Sequence, residues 1–498
     1  MEQLAVRPGS TNTASCLSGS RQTASDALAG QAKPSGEPTV GQPMREDQSA
    51  PAAVRLKAAL EQRELECPDY WSHTGAGRRE LGHGLFAYPA MMVPQLQGAL
   101  LDDLMGVEDD VTSVFDPFMG SGTVLLEARY RGLSFTGADI NPLAVLIATV
   151  KSRNYDVDAL ESVGRSVIKA ASNAKSTSAA VDFPGINKWF REDVIIDLSR
   201  IRRAITQAQS RDDRQALWVI LAETVRLVSN SRTSTVKLHA YPTEYTRDRV
   251  IDAQFTYQDV FERNIKQLRR QNELLRGLAG SQDVKARCLV RDARASANII
   301  AGRKADVLMT SPPYGDNKTT VSYGQHSYLP LQWIEATDIP GFDPSLLSTT
   351  YAIDNEALGG SLSGALHYAD SLAERSNAIA QCLAQLQERT RNARQRFLAF
   401  FHDLDASLDP ITSNLKPRGW MFWTLGERKI SGLHIPTVQI VRELLESRGA
   451  QHIVTLERKI PKNKKRMALR NGTVETISRE SVLVMQSSPR GEQTETPS

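Results

Sequence analysis

From Val111 to Asp139 the chain reads VTSVFDPFMGSGTVLLEARYRGLSFTGAD, and this stretch decides the fold. VTSVFD is a short apolar run with β-branched residues, the pattern of a strand. TVLLEARYRG follows with helical spacing and stops at Gly132. LSFTGADI is a second strand and NPLAVLIATVKSR a second helix. Strands and helices alternating over such short turns imply a parallel sheet covered by helices, an α/β fold. The turn DPFMGSGT joins the first strand to its helix and holds Gly120 and Gly122. Glycines there let the backbone approach a ligand and leave helix-start amides pointing outward. The same spacing also suits a plain tight connection. Asp139 ends the second strand about 20 residues on, where a carboxylate takes ribose hydroxyls in nucleoside-binding α/β folds. The alternative for Asp139 is a helix N-cap ahead of Asn141 and Pro142.

Working outward, residues 1–50 are rich in Ser, Thr, Gly, Gln, Pro and Ala, lack aromatic residues, and are expected to be disordered. Residues 486–498 form a second expected tail. A helix is predicted over VRLKAALEQREL, and another beginning near Pro94. Residues 155–285 are mostly helical in pattern, strands return at ARCLVRDA and ADVLMTSPP, and 325–405 is helical again. WMFWTLGE, HIVTLERKI and SVLVMQ close the chain as strands, with IPTVQIVRELLESRG a helix between the first two. Residues 55–150 and 285–485 thus form the sheet-bearing domain, and 151–284 a helical insertion. Trp420 and Trp423 are expected in the core.

The chain has 498 residues and a net charge of +3, which argues neither for nor against nucleic acid because only local charge matters for that contact. Cys16, Cys67, Cys288 and Cys382 are far apart and form no CxxC pair, as expected of reduced thiols in a cytoplasmic protein rather than a metal site or disulfide framework. The N-terminus has no signal-peptide pattern, and no apolar run approaches membrane-spanning length.

A second motif, Thr310-Ser311-Pro312-Pro313-Tyr314-Gly315, follows the apolar strand ADVLM. Two prolines cannot continue a hydrogen-bond ladder, so the chain must leave the sheet there. It then presents the Ser311 hydroxyl, free carbonyls and the Tyr314 ring at the sheet edge, the parts needed to hold a planar base by its amine and its face. A rigid turn with a packed tyrosine is the plainer alternative.

Together, DPFMGSGT and TSPPY resemble the DNA amino-methyltransferases, which methylate adenine N6 or cytosine N4. The resemblance implies a Rossmann-like, seven-stranded, mostly parallel sheet that binds S-adenosylmethionine, here with large helical insertions. It implies a cofactor loop at Asp116, Pro117, Phe118, Gly120, Gly122 and Thr123, with Asp139 and Asn141 following. HGLFAYPAMMVP, with Tyr88 and Pro89, is similar to the segment that closes over the methionine end of the cofactor. CLVRDAR would place Asp292 near the adenine. The catalytic loop would be Ser311, Pro312, Pro313 and Tyr314. Ser at the first position is the form more typical of cytosine-N4 enzymes, so N4 is favoured and adenine N6 is the alternative. No cysteine nucleophile and no metal are required for attack by nitrogen.

The implied partner is double-stranded DNA, with a cognate restriction endonuclease as a second candidate. Either insertion is a candidate for the surface that reads the target. SNSRTSTVKLH carries Arg232 and Lys237 as candidate DNA contacts, against the alternative of a structural turn. RKIPKNKKRMALR, with Lys462, Lys464, Lys465 and Arg466, is the densest basic run and is expected to meet phosphates. Two readings compete: an RNA guanine-N2 methyltransferase and a non-catalytic nucleic-acid-binding regulator. The lack of a recognisable N-terminal RNA-binding module disfavours the first, and the intact loops disfavour the second.

Overall fold

The computed structural model describes residues 50–278, 284–300, 302–386, 392–460 and 479–489. The tail expected over residues 1–50 lies outside these except for Ala50, as do residues 490–498 and the basic residues Lys462, Lys464, Lys465 and Arg466. Gln486, shared by the expected strand SVLVMQ and the expected tail 486–498, belongs to the strand, where it pairs with Trp420 and Gln451.

Among the described residues, seven strands make the principal sheet. They are β1 (Ser113–Asp116), β2 (Ser134–Asp139), β3 (Ala286–Val290), β4 (Ala305–Thr310), β5 (Leu415–Gly426) and, after a small hairpin, β8 (Gln451–Lys459) and β9 (Arg479–Gln486). The hairpin is β6 (Arg428–Ile430) with β7 (Leu433–Ile435). The sheet order is β3-β2-β1-β4-β5-β9-β8. Pairings from β3 through β5 are parallel, whereas β9 is antiparallel to both neighbours. The α/β, seven-stranded expectation therefore holds. All six residues of β4 are buried, as a central parallel strand covered on both faces requires. Trp420 and Trp423 are core residues.

From β1 the chain winds outward to β3, then returns to place β4 on the other side of β1. This reversal opens a crevice at the C-terminal ends of β1 and β4, the usual ligand position in open α/β sheets. The described residues of 151–284 are mostly helical, with their longest helices at Val157–Asn173, Arg211–Val228 and Ala253–Gly277. It is not a separate lobe. Leu143, Leu146 and Ile147, on the helix Pro142–Lys151 that covers β2 and β3, share one hydrophobic core with Trp218, Leu221 and Phe261 of the insertion. The insertion also braces the segment before Tyr88, because Asn264 Nδ2 donates to the Leu85 carbonyl at 3.0 Å. No described helix is long and apolar enough to cross a membrane.

Candidate active site

Above the crevice lies a cleft of about 320 Å³. Its wall includes Tyr88, Pro89, Pro117, Phe118, Gly120, Thr123, Asp139, Asn141 and Asp292, together with Ser311, Pro312, Pro313 and Tyr314. Segments up to 226 residues apart, counting from Tyr88 to Tyr314, thus meet in one place.

Two residues of the expected cofactor loop, Asp116 and Gly122, do not line the cleft. Asp116 is fully buried beneath the loop. Its Oδ1 accepts the Thr310 hydroxyl at 2.6 Å and the Phe118 amide at 3.1 Å, so it pins the loop after β1 to the end of β4. Burial pushes its carboxyl up to about 7, against the lowering effect of those two bonds. Gly122 packs behind the loop: its φ is +77°, and a Cβ there would come within 3.2 Å of the Ala148 Cβ. It serves helix packing rather than the cleft wall.

Asp139 is half-buried at the cleft. Its Oδ2 accepts the Gly120 amide at 2.9 Å and its Oδ1 the Asn141 amide at 2.8 Å. Burial pushes it up to about 6, opposed by these bonds. The helix cap is Asn141, whose side chain accepts the Leu143 amide. Asn141 Nδ2 donates to the Tyr88 hydroxyl at 3.2 Å and to Ser327 Oγ at 2.7 Å. Asn141 therefore holds Tyr88, whose ring stacks on Tyr323 with centroids 5.8 Å apart. Asp292 caps a short turn and is clamped by its neighbour Arg294 at 2.7 Å, while Arg294 also reaches Asp403.

In the second motif the chain leaves β4 as the two prolines require. The Ser311 hydroxyl donates to the Tyr314 oxygen at 3.4 Å, and the Tyr314 hydroxyl donates to Glu480 Oε1 at 3.2 Å. Glu480 Oε2 pairs with Arg458 at 3.0 Å, and Arg458 is almost wholly buried. Burial first, and the nearby Glu480 charge second, raise the Tyr314 hydroxyl well above its ordinary value. Downstream, Arg428 on β6 packs onto Gly315 and donates to Thr319 Oγ1 at 3.1 Å.

Sequence reasoning missed Arg78, Tyr323, Arg428 and Glu480, and it read Arg458 as the head of the phosphate-contacting run RKIPKNKKRMALR, whereas Arg458 is buried in β8 and paired with Glu480. One signal was available: an antiparallel strand delivers its first residues, here Arg479 and Glu480, to the edge where the parallel strands end. The Ser431-Gly432 turn, with φ +49° and +80°, likewise marks the missed hairpin. Of the other expected DNA contacts, Arg232 is exposed and lies 5.9 Å over the Tyr241 ring. Lys237 donates to the Lys318 carbonyl at 2.7 Å, which ties its loop to the segment after the TSPPY motif. Its ammonium makes a structural bond there.

No protein-family model matches the chain. It is 31% identical over 435 residues, 83% of its length and 91% of the relative's, to the Type II methyltransferase M.MvaI of Kocuria varians. It is 38% identical over 81 residues, 16% of this chain and 15% of the other, to the Type II methyltransferase M.MjaII of Methanocaldococcus jannaschii. Among solved structures, the rRNA methyltransferase AviRa of Streptomyces viridochromogenes aligns with 85% of this chain and 92% of its own at 12% identity and a TM-score of 0.28. The long match to M.MvaI, which spans more than four-fifths of both proteins, establishes that this chain belongs to the Type II DNA methyltransferases.

Proposed function

We propose that the protein methylates the exocyclic N4 of a cytosine flipped out of double-stranded DNA, with S-adenosylmethionine as methyl donor. One observation carries this reading: the half-buried Asp139 and the Ser311–Tyr314 loop line the same cleft. The donor set suits that cofactor. Asp139 offers a carboxylate for ribose hydroxyls, Asp292 a second acceptor, and Phe118, Ile140, Ala293 and Leu358 offer apolar faces for an adenine. When bound, S-adenosylmethionine supplies an electrophilic methyl group on a sulfonium.

The rest falls to the protein. An exocyclic amine is a poor nucleophile because its lone pair is delocalised into the ring. Ser311 Oγ and the Pro312 carbonyl accept its two hydrogens and localise that lone pair. Tyr314 stacks on the base and fixes the line of attack. Extruding the base costs a few kcal/mol, offset by stacking and these hydrogen bonds. The choice of cytosine over adenine rests on Ser311 through the motif resemblance. A cognate restriction endonuclease is the natural partner of such an activity.

The test is mass spectrometry of nucleosides from duplex DNA incubated with the protein and S-adenosylmethionine. N4-methylcytosine is the expected product. N6-methyladenine alone overturns the cytosine assignment, and methylation of RNA but not DNA overturns the substrate.

A further inference from the structure

Gly426, Glu480 and Arg458 form one transverse row across three neighbouring strands. Gly426 pairs with Glu480 in the β5–β9 register, and Glu480 with Arg458 in the β8–β9 register. Directly opposed residues share a face of the sheet, so the row is continuous. Tyr314 lies along it: a Cβ on Gly426 would come within 2.4 Å of the Tyr314 ring, whose hydroxyl ends on Glu480.

This row sets a direction. An ionised Glu480, held by the buried Arg458, has acceptors only. The Tyr314 hydroxyl must therefore donate to it, and the Tyr314 oxygen is left as an acceptor. The Ser311 hydroxyl fills that role as donor. Its single proton is committed, and its two lone pairs are left to accept from a ligand in the cleft. Without Glu480 the two hydroxyls could run in either sense, and Ser311 could present a proton to the substrate instead.

We propose that Glu480, fixed by Arg458, is a positioning residue that orients the Ser311–Tyr314 hydroxyl pair so that Ser311 meets the target base as a hydrogen-bond acceptor. The arrangement favours an amine-bearing base over one with a carbonyl at that position. This rests on the reading of Ser311 as the amine acceptor.

The experiment compares Glu480→Gln, Tyr314→Phe, the double variant and Ser311→Ala by kcat, KM for duplex DNA and Kd for S-adenosylmethionine. Gln can donate as well as accept, so it releases the direction; Phe keeps the ring and breaks the relay. Each single change is expected to lower kcat about tenfold, the worth of one lost orientation. KM and cofactor Kd should stay within about twofold, and the double variant should be no slower than either single one, since both break one relay. Parental kcat in Glu480→Gln, or additive losses in the double variant, overturns the inference. Should Glu480→Gln fail to fold because Arg458 loses its ion, Tyr314→Phe, which keeps that pair, decides alone: parental kcat overturns the relay, and a selective kcat loss supports it. Full activity in Ser311→Ala is a separate result and defeats the underlying reading of Ser311.

Discussion

Asp116 Oδ1 accepts the Thr310 hydroxyl at 2.6 Å across 194 residues of sequence, so the DPFMGSGT loop and the SPPY loop are pinned together from below. The bond joins the ends of β1 and β4, the two strands flanking the crevice. Asp116 is completely buried, and burial pushes it up to about 7. The raised value fixes a sign. Between the ordinary carboxyl value, about 4, and about 7, the unfolded chain loses this proton while the folded chain keeps it. Stability from this group is therefore full at acid pH and declines as pH rises to about 7. Asp116→Asn keeps the Oδ1 acceptor and cannot ionise. Urea unfolding should show the variant gaining on the parent as pH is raised from 5 to 8; a constant difference across that range refutes the assignment.

Asp139 gives a different pH signature, in binding rather than stability. Its carboxyl is pushed up to about 6 by burial, and the ionised form is the better acceptor for hydroxyl groups. Affinity for S-adenosylmethionine should be level above pH 7 and weaken below about 6, approaching tenfold per pH unit if one proton is involved. Asp139→Asn should bind tenfold or more weakly at pH 8 and lose the pH dependence. Calorimetry at pH 5, 6, 7 and 8 measures both, and parallel curves for the two proteins would remove Asp139 from the binding step.

Gly426 supports the Tyr314 ring by lacking a side chain. Gly426→Ala should displace the ring and weaken stacking on the base, worth about 1–3 kcal/mol in single-strand binders. Turnover should fall at least tenfold with cofactor affinity unchanged. In a Tyr314→Ala background the same change should do nothing more, because no ring remains to be displaced. A further loss there would mean that Gly426 acts on something else.

Lys462, Lys464, Lys465 and Arg466 lie in sequence between Lys459, which ends β8, and Arg479, which begins β9. Ile460 and Glu480, near those ends, line the cleft. If the basic run meets the DNA backbone, replacing Lys464, Lys465 and Arg466 with Ala should make the salt dependence of DNA affinity shallower by about 2 to 3 in log–log slope. Fluorescence anisotropy from 50 to 300 mM salt reads this directly; superimposable slopes rule the contact out.

What the sequence determined by itself was local. The alternation through β1, β2 and their helices, the glycines of DPFMGSGT and the prolines of TSPPY act within a few residues of themselves. Hydrophobic period, a positive φ and a missing N–H are properties of short segments, so the α/β class and both loops were legible. Which face each loop residue turns was not. Asp116 and Gly122 carry the same motif as Phe118 and Gly120, yet one pair supports the loop from behind while the other lines the cleft. That division depends on what lies opposite, Thr310 for Asp116 and Ala148 for Gly122. The partners of Tyr314 were hidden for the same reason. Glu480 is 166 residues away and reaches the ring because β9 runs antiparallel and is inserted beside β5. Strand order and register are settled by the burial of whole sheet faces at once, so a short motif cannot disclose which side chain a distant strand will bring against it.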